Sequence, residues 1–250
     1  MSEQGQIRVG IGGWVFPPWR GTFYPKDVKQ ADELAYASRH VTAIEINGTF
    51  YRLQTPASYK KWHDATPDDF VFAIKGSRFI THRNDLTTAA PFMDRFFASG
   101  MAELGPKLGP VLWQFAAGLT FEEPNVAAFL EALPKSLGNR KLRHVLEVRS
   151  RSFDDPAFFA LMERHDAAIA WVEDAKVPLI ETVTSDFVYT RLRQCSEDEP
   201  TGYSADALAR VAERFRAHAE AGRDCFVYFI NGAKVRAPHA AMALIELLRG

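Results

Sequence analysis

Residues 41–47 read VTAIEIN, and this stretch decides the fold. Side chains of a strand alternate between two faces, so Glu45 lies on the face opposite to its isoleucine neighbours. A barrel packs helices against its apolar outer face, so a charged residue flanked by isoleucines is expected to point into the barrel. The stretch 145–149, VLEVR, repeats the pattern around Glu147.

Short runs rich in valine, isoleucine, phenylalanine and tyrosine recur along the chain and predict strands. The eight predicted strands are Ile7–Ile11, Val41–Ile46, Phe70–Ile74, Val111–Phe115, His144–Val148, Ala168–Val172, Phe187–Leu192 and Phe226–Ile230. Most are separated by stretches with helical spacing. These are Asp27–Arg39 with Asp27 as N-cap, Ala90–Leu104, Glu122–Leu133, Pro156–His165, Ala205–Ala221 and Pro238–Leu248.

Alternating strands and helices at a mean spacing of about 31 residues predict a single TIM-like (β/α)8 barrel. The rival fold is an open, doubly wound sheet, which usually carries a glycine-rich phosphate turn opening a helix after its first strand. Here Gly10-Ile11-Gly12-Gly13 is followed by aromatic residues and prolines instead. No linker or change of composition divides residues 1–250, so one domain is predicted.

The composition limits the classes of function. A net charge of -1 over 250 residues gives no global attraction to nucleic acid or anionic lipid, so any anion must be held at a focused site. Two cysteines make neither a disulfide framework nor a metal motif, and no secretory signal is visible, so a cytoplasmic location is expected. No apolar run reaches the roughly 18 residues that would cross a membrane.

Followed two residues at a time along one face, seven of the predicted strands begin apolar and end polar, which predicts a polar mouth at the carboxyl ends of the strands. The series predicted to point inward are Ala43 to Glu45 and Asn47, Val71 and Ala73 to Lys75, Leu112 to Gln114, Val145 to Glu147 and Arg149, Trp171 to Glu173, Tyr189 to Arg191 and Arg193, and Phe229 to Asn231. Glu45 and Glu147 are candidates for general acid and base in that mouth. The candidate substrate-binding residues are Asn47, Lys75, Gln114, Arg149, Arg191, Asn231, Trp14 and Tyr51. A surplus of cations over carboxylates there suits a phosphate or carboxylate ligand. The alternative is an ion-pair network that only stabilises the fold.

Cofactors are unknown, and none is required by the sequence. Most of the seven histidines fall on or near predicted helices, so no histidine metal cluster is predicted. Magnesium or manganese bound by carboxylates remains an open alternative, since these ions need only oxygen donors.

The proline-rich and aromatic segment Trp14–Pro25 predicts an ordered loop over the mouth, either as a hydrophobic plug or as a lid that faces the ligand. Under a nucleic-acid-binding hypothesis, bases would stack on aromatic residues and cations would hold the phosphates. The aromatic residues considered for that role are Trp14, Trp19, Phe50 and Tyr51.

Several motifs in order resemble the YecE-like family, also called domain of unknown function 72. They include VGIGGW at 9–14, WRGTFYP at 19–25, IEINGTFYR at 44–52, LGPVLWQF at 108–115 and LRHVLEVR at 142–149. The resemblance covers nearly the whole chain and implies a TIM-like barrel, but no established activity. The predicted function is an enzyme of hydrolase or phosphodiesterase type acting on a phosphorylated or otherwise anionic small molecule. The alternative is a non-catalytic barrel that binds nucleic acid or a metabolite.

Overall fold

The computed structural model describes residues 4–250, and its centre is a closed parallel barrel of eight strands. The barrel strands are β1 (Ile7–Gly12), β2 (Ala43–Ile46), β3 (Val71–Lys75), β4 (Leu108–Gln114), β7 (His144–Glu147), β8 (Ala167–Glu173), β9 (Phe187–Leu192) and β10 (Asp224–Phe229). A short antiparallel hairpin, β5 (Ser136–Leu137) and β6 (Arg140–Lys141), precedes β7. The ring runs β1-β10-β9-β8-β7-β4-β3-β2, which confirms the predicted TIM-like barrel.

Eight α-helices of residues 4–250 surround the barrel. They are α1 (Glu33–Ala37), α2 (Pro56–Asp64), α3 (Arg78–Thr81), α4 (Ala90–Phe97), α5 (Glu123–Ala132), α6 (Pro156–Arg164), α7 (Ala205–Glu220) and α8 (Ala237–Arg249). α2 and α3 were not among the predicted helices. Residues 174–186, between β8 and β9, contain no helix, so the strand and helix alternation is incomplete there.

Two predicted helix boundaries are wrong. Asp27 does not cap the first helix, because Val28 N–H donates to Pro25 O in a turn and α1 begins only at Glu33. The helix predicted over Ala90–Leu104 ends at Phe97, because Gly100 adopts a positive φ of 104° that α-helix does not allow.

The barrel interior is filled unevenly. Strands β2, β3 and β8 contribute alanines, while β9 and β10 contribute aromatic rings that reach into the space the alanines leave. The alanines are Ala43, Ala73, Ala168 and Ala170, and the rings are Phe187, Tyr189, Phe226 and Tyr228. All eight residues are buried.

On two strands the predicted inward face is wrong. Trp171 packs against Phe215 of α7 on the outside of the barrel, and Phe229 packs against Tyr203. The residues next to them, Ala170 and Val172 on β8 and Tyr228 and Ile230 on and after β10, belong to the interior cluster instead. By alternation, Glu173 and Asn231 therefore lie on the outer face with Trp171 and Phe229. Both faces of a parallel strand are apolar, and alternation alone does not separate them.

The Trp14–Pro25 loop is a hydrophobic plug on the flank of the barrel, so the prediction that it covers the mouth is wrong. Trp19 is buried and its Nε1 donates to Lys234 O at 2.8 Å. Trp14 packs edge-on against Trp62 of α2, with ring centroids 5.3 Å apart. These contacts lie between the barrel and its helices.

Within the part of the chain that the structure describes, no helix combines the length and the apolar character needed to cross a membrane.

Gly76, directly after β3, offers a test of this packing. A Cβ at Gly76 would come within 2.3 Å of Trp113 Cε3. The Trp113 ring is buried and held by a 3.1 Å hydrogen bond from its Nε1 to His144 Nδ1, so it has little room to move. We expect Gly76→Ala to lower the free energy of unfolding by about 2–3 kcal/mol, measured by urea denaturation.

The control is Gly118→Ala, since a Cβ there meets nothing within 4 Å. It should change the free energy of unfolding by no more than about 0.5 kcal/mol. Equal effects of the two substitutions would contradict the packing described for Trp113.

Candidate functional site

Three predicted site residues from three strands meet inside the carboxyl end of the barrel. The guanidinium of Arg191, on β9, donates from Nε to Glu45 Oε2 at 3.0 Å and from Nη2 to Glu45 Oε1 at 2.9 Å. Its Nη1 donates to Glu147 Oε2. Arg191 therefore bridges the carboxylates at the ends of β2 and β7, and all three side chains are buried.

Two further side chains complete the bonding of the carboxylates. The hydroxyl of Tyr189 donates to Glu45 Oε2 at 2.8 Å, and the amide of Gln114 donates from Nε2 to Glu147 Oε1 at 2.6 Å. Gln114 is one of the predicted site residues. Tyr189 was missed because a tyrosine at the apolar start of a strand was taken as packing; its position two residues before Arg191 was the available signal.

The electrostatics of this cluster favour the ionised forms of Glu147 and Arg191. Burial alone would raise the pKa of Glu147, but Arg191, the Gln114 hydrogen bond and the charge of Lys75 outweigh burial and lower it. For Arg191 burial acts to lower the pKa, yet the two carboxylates raise it above its usual value. Buried charges need such partners, and this cluster supplies them within itself.

Lys75, at the end of β3, is the charged residue of the mouth that the cluster leaves unpaired. Among residues 4–250, no carboxylate lies within 4 Å of its Nζ, which instead stands 4.1 Å from the centre of the Phe50 ring. Lys75 is only 8% exposed. Burial first, and then the charge of Arg191, lower its pKa to about 8.

The position of Lys75 is fixed by its own backbone. Thr49 Oγ1 donates to Lys75 O at 2.6 Å and to Ile46 O at 3.0 Å, so one buried hydroxyl joins the ends of β2 and β3. Phe50, the next residue, follows in the same single turn of helix. The ring that faces the amine is thereby held in place.

Arg149 lies further toward solvent. Its Nε is 3.9 Å from Glu147 Oε1, a distance beyond a hydrogen bond, and its side chain is 28% exposed. Three predicted cations, Lys75, Arg149 and Arg191, thus face two carboxylates, both of which are engaged by Arg191. The mouth carries a small positive surplus on the solvent side of the cluster.

A further ion pair lies on the outer rim of the mouth. Arg193 Nη1 lies 3.2 Å from Asp174 Oδ2. With its amide oxygen turned toward Arg193, the exposed Asn231 accepts a hydrogen bond from Arg193 Nη2 at 2.7 Å. Exposed His82 also lies here, and its pKa is lowered by partial burial and then by Lys75 and Arg149.

The remaining predicted residues lie beside the cluster rather than in it. Asn47 and Trp14 line a cavity of about 390 Å³ between the ends of β1 and β2. Tyr51 is 61% exposed and its ring contacts Phe50, with centroids 5.1 Å apart. The cluster and this flank share one edge of the barrel.

Larger cavities open at the opposite end of the barrel. One of about 510 Å³ is lined in part by Arg8, Arg140 and Arg143, and another of about 630 Å³ lies beside His144. Arg140 there donates to the backbone oxygens of Leu108 and Pro106. The candidate site is at the mouth, because the buried charged residues lie there together with Lys75, whose pKa is lowered. The volume of a cavity does not by itself indicate any chemistry.

Neither a metal cluster nor a reactive thiol is built into the described residues. Across residues 4–250 no group of three or more histidine, cysteine, aspartate or glutamate side chains is arranged to hold a metal ion. Burial raises the pKa of both Cys195 and Cys225 to about 12, so neither is a thiolate at neutral pH.

The chain is similar to proteins of one family, by a family model and by two curated relatives. Residues 8–250 match the family model described as protein of unknown function DUF72. The chain is 27% identical to the UPF0759 protein YunF of Bacillus subtilis (strain 168) over 176 residues, which are 66% of this chain and 58% of that protein. It is 30% identical to the UPF0759 protein YecE of Escherichia coli (strain K12) over 157 residues, 62% of this chain and 50% of YecE. The chain thus spans little more than half the length of these relatives.

A solved structure supports the fold. The crystal structure of a DUF72 family protein from Thermotoga maritima MSB8 superposes with a TM-score of 0.79 at 21% identity. The superposition covers 98% of this chain and all of that one.

The lowered pKa of Glu147 predicts how the cluster responds to pH. Glu147→Gln leaves Arg191 with one carboxylate, so we expect the variant to lose about 3 kcal/mol of unfolding free energy at pH 7. The contribution of Glu147 is complete above the ordinary carboxyl pKa and is lost as the pH falls through the lowered folded-state value. The difference between wild type and variant should therefore narrow in acid.

Urea denaturation at a series of pH values measures this difference. The control is Glu246→Gln, which breaks an exposed pair with Arg249 and should cost no more than about 0.5 kcal/mol at any pH. A difference for Glu147→Gln that widens toward acid would rule out an ionised Glu147.

Proposed function

The chain belongs to the DUF72 family, and from its barrel mouth we propose an enzyme that acts on a small phosphorylated or carboxylate-bearing substrate. The observation that carries the proposal is the unused positive charge of Lys75 and Arg149. Glu45 and Glu147, the available carboxylates, already bind Arg191. An anion from solution would supply the missing counter-charge.

The order of exposure supports the same conclusion. Glu45, Glu147 and Arg191 are buried beneath the mouth, Lys75 is almost buried, and Arg149 is partly open to solvent. An anion arriving from solvent would meet Arg149 and Lys75 first, with Arg191 behind them. Charge-assisted hydrogen bonds from such groups are about twice as strong as neutral ones.

The contacts of the carboxylates favour a positioning role in this enzyme. Glu147 is ionised, so it has no proton to donate as a general acid. Glu45 accepts hydrogen bonds from both Arg191 and Tyr189, which use its two oxygens. The two carboxylates would hold the guanidinium of Arg191 in a fixed orientation toward the ligand.

A hydrolase or phosphodiesterase reaction is the finer part of the proposal. Its support is the match between a cationic mouth and the charge that builds up on phosphoryl oxygens during transfer. A lysine with a pKa near neutrality beside that anion site is typical of catalytic rather than structural positions.

Titration with pyrophosphate, followed by calorimetry, tests the anion site. Wild-type protein should bind pyrophosphate saturably, and Lys75→Met or Arg149→Met should each weaken binding about tenfold, the effect of losing one charge-assisted contact. The matched control is Lys141→Met, which removes an exposed lysine at the opposite end of the barrel. Its affinity should equal that of wild type.

An equal loss in Lys141→Met, or no saturable binding, would exclude the mouth as the anion site. Hydrolysis of p-nitrophenyl phosphate and of bis(p-nitrophenyl) phosphate then tests the reaction type. If neither is hydrolysed while pyrophosphate binds, the anion site stands and the hydrolase and phosphodiesterase reactions are excluded for these ester classes.

A second function, non-catalytic binding of nucleic acid, is favoured by one surface of the rim. Tyr51 and Phe79 are 61% and 55% exposed, and the guanidinium of Arg78 lies 5.8 Å and 5.5 Å from their ring centres. Exposed rings beside cations are the usual platform for stacked bases. Phe79 and Arg78 were missed because a short segment after β3 gave no periodic signal.

The other aromatic residues considered for stacking do not share this exposure. Trp19 and Phe50 are buried, and Trp14 is packed against Trp62. Stacking would therefore depend on Tyr51 and Phe79 alone.

Binding of a fluorescent oligothymidylate, measured by anisotropy at several salt concentrations, tests this alternative. If it holds, affinity falls steeply with salt, and Tyr51→Ala or Phe79→Ala each costs about 1–3 kcal/mol of binding free energy. The control is Leu53→Ala, which removes an exposed aliphatic side chain nearby and should leave affinity unchanged. Unaltered binding in both aromatic variants would reject the platform.

A further inference from the structure

We propose that Lys75 is the reacting group of the mouth and that its amine forms an imine with an aldehyde or ketone that also carries a phosphate or carboxylate. This inference rests on the proposed anion site and names the substrate class that the site would take. Lys75 would then react covalently with the substrate in addition to binding its anion.

The surroundings of Lys75 make its proton easier to lose than that of an ordinary lysine. Its Nζ has no carboxylate within 4 Å among residues 4–250, because Arg191 bridges Glu45 and Glu147. Burial and the charges of Arg191 and Arg149 lower the pKa of Lys75, and together they outweigh the carboxylates of Glu45 and Glu147, which raise it. The ring of Phe50, 4.1 Å away, replaces water on one side.

The consequence is an amine that is partly free at physiological pH. With a pKa of about 8 in place of the ordinary 10.5, Lys75 is unprotonated to a much larger extent at neutral pH than an exposed lysine. Desolvation and neighbouring cations are the two features that activate lysine as a nucleophile toward carbonyl substrates. Lys75 has both.

Lys107 and Lys234 show why the assignment falls on Lys75. Lys107 is fully buried, but its ammonium donates to His63 O and Thr66 O and is held as a structural cation. Lys234 has a pKa lowered by burial and lies over the Phe16 ring at 4.8 Å. It has no Arg149 or Arg191 beside it to hold an anion.

The reaction balances without a further reagent. The lone pair of Lys75 Nζ attacks the carbonyl carbon, so a C–N bond forms as the carbonyl π bond breaks, and one proton passes from the nitrogen to the oxygen to give a carbinolamine. The second proton of the nitrogen then passes to the hydroxyl, the C–O bond breaks, and water leaves to give the imine. No net oxidation or reduction occurs, and one carbonyl and one amine become one imine and one water.

The anion of the substrate would direct this attack. Arg149 lies on the solvent side of Lys75 and Arg191 on the buried side, so a phosphate or carboxylate bound between them would bring an attached carbonyl to the amine. Positioning of this kind makes the attack effectively intramolecular. Glu147 would keep Arg191 oriented, as in the proposed anion site.

Pyridoxal 5′-phosphate is a suitable probe, since it combines an aldehyde with a phosphate, and pyridoxal is the matched probe without the phosphate. Protein is incubated with a limiting amount of either aldehyde, reduced with borohydride, digested and analysed by mass spectrometry. We expect pyridoxal 5′-phosphate to label Lys75 at least about tenfold more than Lys234, the energetic equivalent of one charge-assisted contact. Pyridoxal should show a much smaller preference.

The variant Lys75→Arg separates this inference from the proposed function. It keeps the positive charge, so it should bind pyrophosphate more tightly than Lys75→Met does, but it has no amine that forms an imine, so the labelled peptide should disappear. Arg149→Met should keep the amine and lose the preference for the phosphate-bearing aldehyde.

Each remaining outcome decides one of the two claims. Pyrophosphate binding at the mouth without labelling of Lys75 would overturn the imine and leave the anion site standing. Strong labelling of Lys75 by both aldehydes alike, with no pyrophosphate binding, would support a reactive amine and overturn the anion site. Labelling of Lys234 to the same extent as Lys75 would overturn the assignment of the reacting residue.

Discussion

One guanidinium spans the barrel and holds its carboxyl end together. Arg191 on β9 reaches Glu45, three strands away around the ring in one direction, and Glu147, two strands away in the other. A buried charge without a partner costs far more than the pair gains, so none of these residues is free to change alone. The ion pairs of Arg191 with Glu45 and Glu147 determine the charge environment of the side chains nearer to solvent, and of Lys75 above all. Because Arg191 occupies both carboxylates, Lys75 is left without a counter-ion.

Much of this organisation could be predicted from the sequence. Apolar runs that end in charged or amide residues place Glu45, Lys75, Gln114, Glu147 and Arg191 at one end of a barrel, and the structure brings these five residues together. The prediction succeeds because strand alternation is a local property and parallel strands share a direction.

What could not be predicted depends on contacts between distant parts of the chain. Trp171 and Phe229 are as apolar as their inward neighbours, so the sequence alone does not tell which face they occupy. The pairing of Arg191 with both carboxylates leaves Lys75 unpaired, and that choice among three cations is made only by geometry. Tyr189 contributes a hydroxyl whose partner lies 144 residues away.

The uneven filling of the barrel interior also bears on how the chain folds. Strands β2, β3 and β8 contribute alanines, and the rings that occupy the space beside them come from β9 and β10, the last two barrel strands in chain order. A nascent chain that ends before β9 therefore lacks the aromatic side chains that occupy this part of the barrel interior. The barrel closes only when β10 pairs with β1, which lies more than two hundred residues earlier in the chain, as in the pairing of Ile7 with Cys225. Contacts of such long range slow folding in general, because the entropy of closing a long loop must be lost before the contact forms.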